Sequence, residues 1–293
     1  MTRTSPPGGF TLVELLVGIV VASIVGAATL SVTIHQERTA YALDEVMNTR
    51  RAVREGADVL RYDLRAIAPA LGAIYRASDT FVEFRMTTGF SVLCALDSAR
   101  TSIVVPARAA TGTSLTSWIV SPEPGDTVML YHAAPDPDSA RWDVAVLAST
   151  PAAGRTCQVG FDAGGAEVRV PALTARLGAP LPTGVTVGAA LRVVRRARYE
   201  LYRGGDGSWY LGFADCLQTR TVACATLQPV SGPYPPNGVR FRFIDSTATP
   251  TSDPRRVARI EVVIRGESIV RRRVSGLPDV FKDSVALIIT PRN

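Results

Sequence analysis

Histidine is nearly absent from this chain: its 293 residues hold two, His35 and His132, beside four cysteines with no Cys-x-x-Cys pair. Zinc sites gather Cys and His ligands at short spacings, so no metal centre is expected. No Gly-x-Ser-x-Gly elbow occurs, and neither histidine has a nucleophile nearby in sequence, which removes the common hydrolase signatures. His35 reads instead as a residue at the edge of an apolar run. The glycine-rich Gly204-Gly205-Asp206-Gly207 lacks the Lys-Ser/Thr pair and following helix of a phosphate loop. Asp136, Asp138 and Asp143 cluster near a proline-rich loop, but their spacing matches no EF-hand, so a solvated loop is expected rather than a calcium site. Trp118, Trp142 and Trp209 read as core residues, not a binding platform. No internal repeat is evident. The chain is therefore not expected to be an enzyme or to carry a cofactor.

Charge is missing from one stretch. From Phe10 to Ile34 the sole charged residue is Glu14, over a run of about 25 residues, long enough for a membrane-spanning helix at ~1.5 Å per residue. A carboxylate inside hydrocarbon costs about 2.5–3.5 kcal/mol on insertion scales, so an acid kept there points to function. Cleavage after Gly9 would give Phe10 a new α-amino group, and such a cation on a neighbouring subunit would suit the buried carboxylate of Glu14.

The residues Gly9-Phe10-Thr11-Leu12-Val13-Glu14 and the apolar run behind them resemble the class III signal of type IV pilins and type II secretion pseudopilins. The resemblance implies a leader at 1–9 removed by a prepilin peptidase after Gly9. Phe10 would become the N-methylated first residue, and Glu14 the acid that guides each subunit into a filament. An ordinary secretory signal is not expected, because the run continues past Val25 with no clear stop. Arg3, the one charge of the leader, puts the N-terminus on the cytoplasmic side and the rest of the chain outside, in the manner of a single-pass inner-membrane protein.

Composition leaves room for an exported domain: 46% of residues are hydrophobic, 20% are charged, and the net charge is +6. A basic balance invites nucleic acid or an anionic membrane surface. The basic residues are mainly scattered arginines, with local runs at Arg195-Arg196 and Arg271-Arg272-Arg273, so a solvated basic face is the expectation and nucleic acid the less favoured partner. The cysteines suit an oxidising compartment. Closeness in sequence favours Cys216 with Cys224, which leaves Cys94 with Cys157; three connectivities are open at this stage.

Past the apolar run the helix should continue. Val46, Val53, Ala57, Leu60, Leu64 and Ile67 mark one face, opposite Arg50, Arg51, Arg54, Glu55, Asp58, Arg61 and Arg65, with Pro69 as the stop. The spacing predicts a transmembrane segment at 10–34, an amphipathic segment at 35–69 that packs on its own sheet, and a β-rich domain at 70–293. Alternating strands are expected at 80–86, 90–95, 102–105, 117–120, 127–131, 142–147, 168–170, 190–194, 198–203, 208–213, 239–245 and 258–265. A strand at 284–290, apolar throughout, suggests burial on both faces. Residues 198–213 form the clearest hairpin around Gly204–Gly207, and 228–238, rich in proline and glycine, reads as loop.

The C-terminal layout, from Tyr199-Glu200-Leu201-Tyr202-Arg203 through Val239-Arg240-Phe241-Arg242-Phe243 and Arg259-Ile260-Glu261-Val262 to the terminal Arg292-Asn293, resembles the larger minor pilins of the PilW type and their secretion counterpart, the J-type pseudopilin. The expected fold is thus α+β and pilin-like: a long N-terminal helix packed on a β-rich domain. The expected function is a minor pilin that primes or caps a type IV pilus, with a type II secretion pseudopilin as the first alternative and a DNA-uptake tip pilin as the second. Its partners would be other pilins or pseudopilins, the prepilin peptidase and the inner-membrane assembly platform.

Overall fold

The computed structural model describes residues 11–69, 72–132, 140–161, 165–216, 224, 226–268 and 280–291. One helix, α1, runs unbroken over Leu12–Arg65. It ends at Arg65, a turn ahead of the expected stop at Pro69. Proline disfavours helical backbone in the residue before it, and the Ala66 N–H already tightens the last turn by donating to the Asp63 carbonyl at 3.2 Å.

The strands are β1 (Ile74–Ala77), β2 (Phe81–Val92), β3 (Ala95–Leu96), β4 (Ser102–Pro106), β5 (Ser117–Trp118), β6 (Thr127–His132), β7 (Arg141–Val146), β8 (Ala152–Phe161), β9 (Glu167–Arg176), β10 (Ala190–Arg203), β11 (Trp209–Asp215), β12 (Gln228–Tyr234), β13 (Val239–Ile244), β14 (Arg259–Glu267) and β15 (Lys282–Ile289). They form three sheets. The largest runs β1-β2-β10-β11-β12, with β5 added on β2 and the β6–β7 pair on β10. The others run β13-β14-β15 and β3-β4-β9-β8.

The chain divides into two compact units, one comprising residues up to Arg51 with Glu267–Asp283, the other Ala52–Gly266 with the residues from Ser284. In the first, the side chains of Leu12 through Ile34 stand exposed along the helix. Within the second, the end of α1 supplies Ala52, Val53, Ala57, Leu60 and Leu64 to a core shared with Phe84, Tyr199, Leu211, Phe241, Ile260 and Ile264. These helix residues recur at three- and four-residue spacings, which puts them on one stripe against the sheets. Tyr234 fixes the helix through its hydroxyl, which donates to the Ala52 carbonyl at 2.6 Å and pairs with Ser231 at 2.8 Å. Burial pushes the Tyr234 phenol up to about 12. Gly56 is required there, since a Cβ would meet the Tyr234 and Ser231 hydroxyls. A second core gathers Leu93, Ile103, Val105, Val128, Leu130, Leu177, Leu191 and Val193.

β10 is the spine of the larger sheet. It is one strand of 14 residues, not two short ones, because Arg195 and Arg196 continue its alternation. Leu191 and Val193 point into the second core, and Ala197, Tyr199 and Leu201 into the first. Arg195 lies between them on the same inward side, 3% exposed. It is held by Asp126 (Nε to Oδ1 2.6 Å, Nη2 to Oδ2 2.7 Å) and by Asp215 (Nη1 to Oδ2 2.8 Å). Asp126 hydrogen bonds and charge raise the Arg195 pKa against its burial, with Asp215 adding to the effect. The bidentate geometry compensates a charge whose solitary burial would be prohibitive.

Other strands also depart from the expected pattern: β1 lies where no strand was expected, and β2 is continuous where two strands, 80–86 and 90–95, were expected, because β10 pairs along its whole length. Residues of the anticipated 228–238 loop form β12, whose place at the sheet edge tolerates Pro229 and Pro233. β8 hides its alternation behind register shifts at 153–155 and 158–160, where Gly154 and Gly160 take φ of 149° and 151°. β15 is an edge strand and not doubly buried: Leu287 and Ile289 turn inward while Ile288 is exposed, as one-sided cover of an outer strand dictates. The hairpin β10–β11 is present, with Arg203 opposite Trp209 and Gly207 at φ 85° in the turn.

Candidate functional site

The head of α1 is built by Thr11 and Glu14. Thr11 precedes the first helical residue, and its hydroxyl accepts from the Glu14 N–H at 3.3 Å. The Glu14 carboxylate reaches back to accept from the Thr11 N–H at 2.9 Å and the Thr11 hydroxyl at 3.0 Å. This reciprocal pair is a capping box, which satisfies amide donors that every helix start leaves open. Its signal, Thr-x-x-Glu ahead of an apolar run, is legible in Thr11-Leu12-Val13-Glu14 although the sequence reading gave Glu14 an intersubunit role alone. Gly9 and Phe10 lie outside the described residues.

Behind the cap, an 18-residue stretch of the helix has a mean hydropathy of 2.4 and is 0% buried by the rest of the chain. Three of the hydroxyl side chains here bond along the helix: Ser23 donates to the Ile19 carbonyl at 2.7 Å, Thr29 to Val25 at 3.0 Å and Thr33 to Thr29 at 3.0 Å. A hydroxyl bonded within its own helix suits an apolar surrounding, where an unsatisfied group would be costly. By length and composition this helix is able to cross a membrane. His35 is exposed just beyond the run.

The remaining sequence candidates lie apart from this segment in the chain. Cys94 is bonded to Cys157 and Cys216 to Cys224. Glu83 has ligand atoms within 4.8 Å of those of Cys216 and Cys224, but the disulfide leaves no thiolate to bind a cation. Asp136 and Asp138 lie outside the described residues. Asp143 pairs with His132 at 2.9 Å and Arg141 at 3.0 Å. Partial burial opposes its ionisation, yet Arg141 and His132 outweigh that and hold the carboxyl below the usual range. Trp118 and Trp209 pack against the two cores, whereas Trp142 lies under the Arg192 guanidinium, 4.7 Å from its ring centre. The buried Arg195–Asp126–Asp215 group had no local signal, since it joins residues far apart in sequence.

Residues 7–30 match the family model described as "Prokaryotic N-terminal methylation motif". The chain carries a prokaryotic N-terminal methylation motif. With the long apolar helix behind it, this is consistent with a type IV pilin-like prepilin, and the helix followed by a β-rich domain is a pilin-like architecture. The motif supports a class III signal protein, pilin-like or pseudopilin. It implies assembly with other pilins and handling by the prepilin peptidase, and it fits an inner-membrane anchor. No curated protein and no solved structure matches the chain.

Proposed function

We propose that this pilin-like chain is a minor pilin, a priming or tip subunit of a type IV pilus. The peptidase would cut after Gly9, Phe10 would be N-methylated, and the domain from residue 70 onward would lie on the outer side of the inner membrane. The observation that carries this reading is the apolar first part of α1. It is exposed throughout, headed by a single acid, and overlaps the matched motif. Such a surface needs a cover that the described residues do not give. Lipid before assembly and the helices of other subunits afterwards would supply it.

Glu14 would serve twice. In the membrane its carboxylate is already met by Thr11, which lessens the cost of an acid near hydrocarbon. In the filament the α-amino group of Phe10 on a neighbour would compete for it. An unpaired charge in a dry core is penalised, so only one docking register satisfies both groups. The size of the exported domain supports a tip position over a densely packed shaft. The motif is shared with type II secretion pseudopilins, and neighbouring genes separate the two: a retraction ATPase and further pilins, or a secretin with secretion genes.

Intact mass and N-terminal sequencing of the protein from membranes test the reading. A chain starting at Phe10 with one added methyl is expected; an intact Met1, or cleavage beyond Val25, would end it. Glu14→Ala should leave membrane insertion unchanged and reduce recovery in sheared filaments, and normal recovery would remove the assembly role.

A further inference from the structure

We propose that the solvent side of β1, β2, β7 and β10 is a binding face for single-stranded nucleic acid. Alternation along β10 turns Arg192, Arg196 and Arg198 away from the cores that Leu191, Val193, Ala197 and Tyr199 enter. Register places Phe90 opposite Arg192, Arg85 opposite Arg196 and Glu83 opposite Arg198, while Arg76 of β1 faces Glu83. The strands thus assemble arginines and aromatic rings that are scattered in sequence into one surface.

The arginines and rings interleave. Phe81 lies 4.3 Å from the Arg198 guanidinium and 5.5 Å from that of Arg76. Tyr75 lies 5.1 Å from Arg196 and 5.9 Å from Arg85. Arg192 lies between Trp142 at 4.7 Å and Phe90 at 5.9 Å. Glu83 pairs with Arg196, and Glu200 with Arg198 at 2.8 Å. Arg76 and Arg192 have no acidic partner among the described residues and are both exposed, as are Tyr75 and Phe90.

Charge complementarity selects a polyanion, and the rings select its kind. Guanidiniums fixed against aromatic faces keep their forked donors outward, the geometry that meets phosphate bidentately. Unpaired bases stack on aromatic rings and on guanidinium planes, whereas a duplex keeps its base faces inside. A surface that alternates the two groups over the buried Val194 and Glu83 therefore fits a single strand better than a duplex. The inference does not depend on the filament reading, because none of its residues belongs to the matched motif.

The test uses the full chain in an uncharged detergent and a fluorescent oligothymidine of about 20 nucleotides. Binding should weaken with salt, at a log–log slope of about −0.7 per phosphate contacted. Arg76→Gln with Arg192→Gln should lower affinity at least about tenfold and flatten that slope by about 1.4. Phe90→Ala, a change at an exposed ring, should weaken oligothymidine but not an abasic strand of equal length. Circular dichroism checks that each variant folds. No binding at low salt, equal binding of the abasic strand, duplex binding as tight as single-strand binding, or binding of heparin alone would each overturn the proposal.

Discussion

Two stretches of one helix are built for different surroundings. Leu15 and Leu16, near its start, are 58% and 55% exposed, while Leu60 and Leu64, near its end, are fully buried. The residue type and the helical backbone are the same, so neither decides burial. In the later stretch, apolar residues keep to one stripe and arginines fill the other side, which suits one-sided cover by a sheet. In the earlier stretch they run all round, which suits lipid or a bundle of like helices. A helix stretch that is apolar on every side and exposed among the described residues marks where other molecules must be.

The comparison can be broken or sharpened by substitution, beginning in the sheet unit. Asp126→Ala leaves Arg195 inside without its bidentate partner, so urea unfolding should show a loss of about 3–5 kcal/mol. A loss under 1 kcal/mol would mean that water reaches Arg195. Leu64→Ala should cost about 2–5 kcal/mol in the same assay, against less than about 0.5 kcal/mol for Leu16→Ala. Equal losses would show that the first stretch is packed within the chain and would remove the contrast. Thr11→Ala should loosen only the head of the helix, by about 1 kcal/mol, read as faster amide exchange at Glu14 with an unchanged melting midpoint.

The smallest effect is a pH dependence. Asp63 sits under the sheet, where burial raises its carboxyl above the ordinary 3.8 although the Tyr199 hydroxyl, donating at 2.6 Å, pulls the other way. An acid whose folded pKa is raised binds its proton more tightly when folded. Its stabilising contribution is therefore complete below about pH 3.8 and is lost as pH rises through the folded value. Asp63→Asn should flatten the stability profile across that interval. A variant whose profile parallels the parent would remove Asp63 as the cause.

Local pattern carried far into this fold and then failed for identifiable reasons. The helix, its stripe and the hairpin at Gly204–Gly207 were legible because each depends on residues within a few positions of one another. β12 was not, because proline and glycine argue for loop unless the strand is known to be an edge, and edges are defined by partners remote in sequence. β8 was lost to two bulges that break its period. At the site, Glu14 stands out as a lone acid in an apolar run, and the Thr-x-x-Glu spacing announces its bond to Thr11. Trp142 was expected in a core and instead underlies Arg192, since alternation gives a side but not which side is covered.

By itself the sequence determined the methylation motif, the uncharged run behind it and the change from helical to strand periodicity, all set by neighbouring residues acting through the backbone. Tertiary structure alone decided that Arg195 is buried while Arg196 and Arg198 face outward. That depends on which strands flank β10 and on carboxylates many residues away, Asp126 and Asp215 on one side and Glu83 on the other. A charge is tolerated inside only where such partners converge, and convergence is a property of the folded chain.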